Sequence, residues 1–311
     1  MSQIFPKSMT IKQAVISTLA YFDLFDVPLT RDGIYENLFF LPLDQKKVDI
    51  YLRESPLIQE HDGLFSLKRN AAASTNFYEY FLAKIRRSKK YWKKVHRWQW
   101  LFAVCPFVKL IAVCNSLPIR AVEDDSDIDL LVITDKKHMF TARFFLTLLT
   151  SLSLTRRNGN SIRKRFCLSF YITEDNLDLA EIEQKPYDIY LAYWLKTLEP
   201  ITGSHEVYEK FMLANRGWLK PYFSELIKHR RRFRKTRPWQ QKIKSRLEKW
   251  FGSQEFEIKM RNWQLRRAFE KSRHLPDQSG TIISEKMLKF HDKDVREQIR
   301  HDWVARINEF L

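Results

Sequence analysis

Two acids one residue apart, set directly ahead of an unbroken apolar run, constrain this chain most: Ser126-Asp127-Ile128-Asp129-Leu130-Leu131-Val132. The run continues through Ile133 to Thr134, and its β-branched and apolar content predicts a buried strand. Side chains at i and i+2 of a strand share a face, so both carboxylates project the same way from the rim of a core. Two carboxylates a few ångströms apart repel unless a cation lies between them. A hard divalent ion, Mg²⁺ or Mn²⁺, suits such oxygen ligands and leaves positions for phosphate oxygens.

The surroundings sharpen this. Val108 to Cys114 reads as one further strand and Arg165 to Thr173 as another, with a helix predicted over His138 to Leu154. Asn115-Ser116 follows the first of these, and ten residues separate it from Asp127. A strand, a small polar turn, a short connection and Asp-h-Asp opening the next strand (h apolar) resemble the polymerase β-type nucleotidyltransferase superfamily. The resemblance covers about residues 107 to 175. It implies an α+β fold with a mixed sheet core flanked by helices. It also implies transfer of a nucleoside monophosphate from an NTP to an acceptor hydroxyl. Asp127 and Asp129 would be the catalytic metal ligands, with Asn115, Ser116, Arg120 and Ser126 holding the nucleotide.

Two positions depart from the family pattern. Asn115 stands where the family has Gly; Asn tolerates left-handed backbone better than most residues, so the turn is expected to survive. Active members carry a third carboxylate on a later strand, yet Arg165 to Thr173 holds no acid. Ser169 is the expected equivalent, with Glu174 and Asp175 just past the strand's end. The resemblance therefore leaves two readings: a metal-dependent enzyme, or a catalytically degenerate module that binds nucleotide or RNA.

Upstream, Ile11, Val15, Ile16, Leu19 and Phe22 recur at helical spacing behind a Thr10 cap. Thr30 opens a short helix to Asn37, and Asp44 opens a third whose inner face is Val48, Tyr51 and Leu52. Leu57–Glu60 and Leu64–Leu67 flank His61-Asp62-Gly63, a hairpin signal. Three helices and a hairpin resemble a winged helix over residues 1–70. The third helix balances Lys46, Lys47 and Arg53 against Asp44, Asp49 and Glu54, so sequence-specific DNA binding is not expected.

A long helix over residues 77–100 carries seven Lys or Arg between Arg86 and Arg97 with no acid, interleaved with Tyr91, Trp92, Trp98 and Trp100. Lys228 to Lys249 holds eleven Lys or Arg and one acid, Glu248. These tracts, within a net charge of +17, point to RNA or another anionic acceptor, and equally to a solvated basic surface. The last hundred residues read as helical throughout. They include a helix over Glu255–Arg273 and a final one capped by Asp292 with the stripe Val295, Ile299, Trp303, Ile307 and Phe310. The organisation expected is a winged-helix-like unit (1–70), a basic connecting helix (71–106), the nucleotidyltransferase core (107–180) and a helical C-terminal region (181–311).

The eight histidines form no HxxxH or HExxH pattern, and no Gly-rich phosphate loop of the dinucleotide-binding or P-loop kind is present. Cys105, Cys114 and Cys167 lie in apolar runs without CxxC spacing, so buried free thiols are expected in a cytoplasmic protein. No membrane partner is expected, because the longest apolar stretches are too short to span a bilayer.

Overall fold

Strand formation follows the apolar runs. Ile128–Thr134 (β5) and Val108–Val113 (β4) are buried along almost their whole length, as expected of strands covered on both faces. The computed structural model describes residues 9–39, 44–69, 71–158, 161–223, 236–273, 280–290 and 294–311. It is a mixed α+β protein built on a six-stranded mixed sheet.

The N-terminal segment contains α1 (Ile11–Asp23), β1 (Leu29–Thr30), α2 (Arg31–Asn37), α3 (Gln45–Glu54), β2 (Ile58–His61) and β3 (Leu64–Leu67). Thr10 and Gln13 form a reciprocal capping box, and Thr30 and Asp44 cap α2 and α3. Asp62 and Gly63 both take positive φ, 51° and 75°, as the two central residues of a tight hairpin require. The strands order β1-β3-β2. A single helix, α4 (Ala71–Ala103), then leads into the large sheet.

That sheet orders β7-β4-β5-β6-β9-β8. β6 (Phe166–Thr173) lies parallel to β5, linked by α5 (Met139–Leu152), while β4 is antiparallel to β5. The expected helical C-terminal region contains α6 (Ile189–Thr197), α7 (His205–Leu219), α8 (Pro238–Phe251), α9 (Gln254–Ser272) and α10 (Arg296–Asn308). It is not helical throughout. β7 (Glu199–Gly203) closes one edge of the sheet, and β8 (Thr281–Ile283) with β9 (Met287–Phe290) closes the other. These strands are three to five residues long and take their partners from distant segments, so they carry almost no period of their own. Gly203, at φ 123°, passes so close to β4 that a Cβ would meet Lys109 O at 2.3 Å.

Each sheet face has its own core. Leu110, Ala112, Leu131, Ile133, Phe170 and Ile172 join the N-terminal helices and α6, α7 and α10 in one cluster. Ile111, Val113, Leu130, Val132 and Tyr171 join α4 and α5, with α8 and α9 packed outside, in the other. The α10 stripe holds in part: Trp303 and Ile307 are buried, with Trp303 Nε1 donating to Ser17 O at 2.8 Å, Ile299 and Phe310 are half-buried, and Val295 precedes the helix and is exposed. The helix begins at Arg296, whose N–H donates to Asp294 Oδ1; Asp292 lies outside the described residues, as do positions 228–235 of the basic tract. Pro238, inside that tract, takes the first position of α8, where its missing N–H costs nothing. No described helix is long and apolar enough to cross a membrane.

Candidate functional site

The antiparallel pairing of β4 and β5 sets Val113 opposite Leu130 and brings the turn after β4 against the mouth of β5. Cys114 N–H donates to Asp129 O at 3.1 Å, and Asn115 then turns at φ 68°. This is the left-handed turn expected of an Asn at that position. Its side chain is fixed at both ends: Nδ2 donates to Asp129 Oδ2 at 2.8 Å, and Oδ1 accepts from the Tyr190 hydroxyl of α6. Tyr190 was not foreseen, because only the fold brings α6 beneath the turn.

Asp129 is therefore a half-buried carboxyl group held by the turn. Burial first, and the charge of Asp127 second, push it up to about 7, against the hydrogen bond from Asn115. Asp127 sits one residue ahead of β5, and its Oδ2 accepts from Arg157 Nη1 at 2.7 Å. Arg157 comes from the segment between α5 and β6, and its N–H donates to Phe166 O at 2.9 Å. One acid of the pair thus already has a cationic neighbour, and the other is favoured in its neutral form.

On the next strand, Cys167 faces Asp129 in register. The register slips between Cys167 and Phe170, so Leu168 and Ser169 form a bulge. Ligand atoms of Asp127, Asp129 and Cys167 all lie within 4.8 Å of one another. The residue opposite the acid pair is therefore Cys167, and the Ser169 hydroxyl, expected there, sits behind it and accepts from Cys167 Sγ at 3.3 Å. Burial and the two neighbouring acids hold the Cys167 thiol well above its usual range, so it is protonated. Glu174 and Asp175 lie at the far end of β6, roughly 20 Å along the strand, where they pair with Lys109 and Lys286.

Ser116 borders the Asn115 turn in a small pocket with Tyr21, Ile119, Tyr190 and Trp194. Arg120 is exposed at φ 62° and forms no ion pair among the described residues. Ser126 serves the loop itself: its hydroxyl accepts from Glu123 N–H at 2.9 Å, and its carbonyl accepts from the Tyr91 hydroxyl at 2.9 Å.

The basic helix α4 divides its cations. Lys84, only 2% exposed, pairs with Glu123 at 2.7 Å, and Arg87 pairs with Asp124 at 2.8 Å, so these two anchor the loop ahead of the acids. Lys94 Nζ donates to Lys164 O in the segment between α5 and β6, and Lys164 N–H donates to Ser126 O at 2.9 Å. Arg86, Lys89, Lys90, Lys93 and Arg97 line the exposed face instead, with no ion pair among the described residues. Compared with known proteins, the chain matches no family model, no curated protein and no solved structure.

Proposed function

We propose that this chain is a nucleotidyltransferase of the polymerase β type, transferring a nucleoside monophosphate from an NTP to an acceptor hydroxyl. One observation carries the reading: the Asn115-Ser116 turn and the Asp127/Asp129 pair, ten residues apart in sequence, meet through the 2.8 Å contact of Asn115 with Asp129. The parallel placement of β6 beside β5 and the helices on both faces support the same fold, and the order of three helices and a hairpin supports a winged-helix-like start.

Asp127 and Asp129 fit a divalent cation. Their oxygens lie within 4.8 Å of one another at the start of β5, and the raised Asp129 is a carboxyl group that a nearby cation would stabilise in its charged form. They would hold Mg²⁺ or Mn²⁺, which when bound would neutralise triphosphate charge. The protonated Cys167 thiol is a poor ligand for a hard ion, so the remaining positions would belong to water and phosphate. Asn115 would hold Asp129 in place, and Ser116 and Arg120 would meet the nucleotide. Three buried free thiols suit the cytoplasm. Pyrophosphate release from NTPs, measured with and without Mg²⁺ for wild type and Asp127→Asn, tests this reading. Equal rates in the two proteins would remove it.

A second reading rests on Cys167 and Arg157. A thiol stands opposite the acid pair, and an arginine already neutralises Asp127. A module that has lost catalysis and binds nucleotide or RNA through the exposed cations of α4 would retain salt-sensitive RNA binding without either acid. RNA binding that is absent, or indifferent to salt, rejects it.

A further inference from the structure

Beside Asp127 the sheet opens into a cleft of about 890 Å³, bounded by α5, α9, the start of β6 and the β8–β9 edge. Its lining includes four arginines: Arg143, Arg156, Arg157 and Arg267. Arg157 is paired with Asp127. Glu270 also borders the cleft but is held by Arg266 at 3.1 Å. The other three guanidinium groups pair with no carboxylate among the described residues.

Arg143 is the telling one. Its Nη1 donates to Gln264 Oε1 at 2.8 Å, and its guanidinium lies 4.8 Å from the Phe290 ring centre and 5.8 Å from that of Tyr171. Burial and the nearby charge of Arg156 both work against its proton, yet a guanidinium stays charged in proteins. Arg143 is thus a half-buried guanidinium held by an amide oxygen and two rings but by no carboxylate, a charge that an anion would complete. The Thr281 hydroxyl on the cleft wall has no hydrogen-bond partner among the described residues, nor has the Tyr171 hydroxyl, which lies close to Arg143 and Arg156 but behind the lining.

We infer that this cleft binds a phosphate-bearing small molecule of nucleotide size, its phosphate held by Arg143, Arg156 and Arg267. The volume is that of a small-molecule pocket. Three planar forked donors that pair with no carboxylate among the described residues line it, the donor type suited to bidentate phosphate recognition. Trp263, half exposed at its rim under Arg267, offers a flat face for a ring. A polymer would need a long open track, and the cation stripe of α4 is the surface of that shape. That the ligand is the acceptor of the transfer rests on the function proposed above; that the cleft binds a phosphomonoester does not.

Titration calorimetry in chelator, with AMP, inorganic phosphate and a ten-nucleotide RNA lacking terminal phosphates as probes, tests the inference on the full chain. AMP and phosphate should bind saturably and the RNA should not displace AMP. Arg143→Met should weaken AMP by about ten-fold or more, and Arg156→Ala and Arg267→Ala by about three- to ten-fold each. If Arg143→Met fails to fold, the two rim variants decide. AMP affinities equal to wild type in both rim variants, or binding of the RNA alone, would overturn the inference. Loss of AMP binding in the arginine variants with none in Asp127→Asn would uphold the cleft even if pyrophosphate release failed. Normal AMP binding in the arginine variants, with pyrophosphate release that depends on Asp127, would reject the cleft and keep the transferase.

Discussion

Arg157 donates to Asp127 Oδ2 at 2.7 Å and thereby places a cation of the protein's own on one of the two acids that would hold a metal. The pair is partly exposed, with Arg157 at 40% and Asp127 at 15%. A divalent ion would have to displace or share that guanidinium. Truncation to Arg157→Ala should therefore tighten Mn²⁺ binding by about two- to five-fold, the range an exposed ion pair supports. Manganese paramagnetic resonance titration measures this directly. Weaker binding in the variant would mean that Arg157 organises the site and does not compete for it.

Asp129 gives the metal-free protein a pH dependence of defined sign. Its folded value is raised from 3.8 to about 7 by burial and by Asp127. Between those limits the unfolded chain releases a proton that the folded chain keeps. The stabilisation is fully present below the lower limit and is lost as pH rises through the upper one. Asp129→Asn mimics the protonated group and removes the effect. In chelator, the melting temperature of wild type should fall relative to Asp129→Asn as pH is raised from about 5 to about 8. Parallel curves would contradict the half-buried, neutral carboxyl group.

Asn115 carries two separable duties, backbone geometry and a hydrogen bond. Asn115→Gly keeps the φ of 68° and loses the contact with Asp129, while Asn115→Ala loses both. Thermal or denaturant unfolding should show about 1–3 kcal/mol lost in the Gly variant and roughly 1 kcal/mol more in the Ala variant. An Ala variant as stable as the Gly variant would show that the turn is not strained for other residues.

A buried charge network ties the C-terminal helix to the start of α6. Asp188, whose side chain is fully enclosed, caps α6 through Leu191 N–H and pairs with Arg296 at 2.8 Å; Arg296 also grips Asp294 at 2.6 Å. Arg296→Met strands two buried acids and should cost about 3–5 kcal/mol in denaturant unfolding. A loss near that of an exposed arginine would mean that the network is open to water.

Local chemistry made much of this fold legible. Thr10 with Gln13, Asp62 with Gly63, and the apolar runs of β4, β5 and β6 each declare themselves within a few residues, because capping, turn and burial patterns are short-range. β7, β8 and β9 did not, since a strand of three to five residues is defined by the partner it meets. The site divides the same way. Asp127, Asp129 and the left-handed Asn115 were readable from spacing and residue type. Arg157 and Cys167 reach the acids across 30 and 38 positions, Tyr190 reaches Asn115 across 75, and the β6 bulge next to Cys167 leaves no mark in composition.

We propose that Asp127 and Asp129 jointly hold a divalent ion with a nucleoside triphosphate. Calorimetric titration of wild type, Asp127→Asn and Asp129→Asn with ATP, GTP, CTP and UTP, each with and without Mg²⁺, tests it most directly. Wild type should bind at least one triphosphate about ten-fold or more tightly with Mg²⁺ than without, and either substitution should abolish that gain. Triphosphate binding indifferent to Mg²⁺ in wild type, or a Mg²⁺ gain that survives both substitutions, would contradict it.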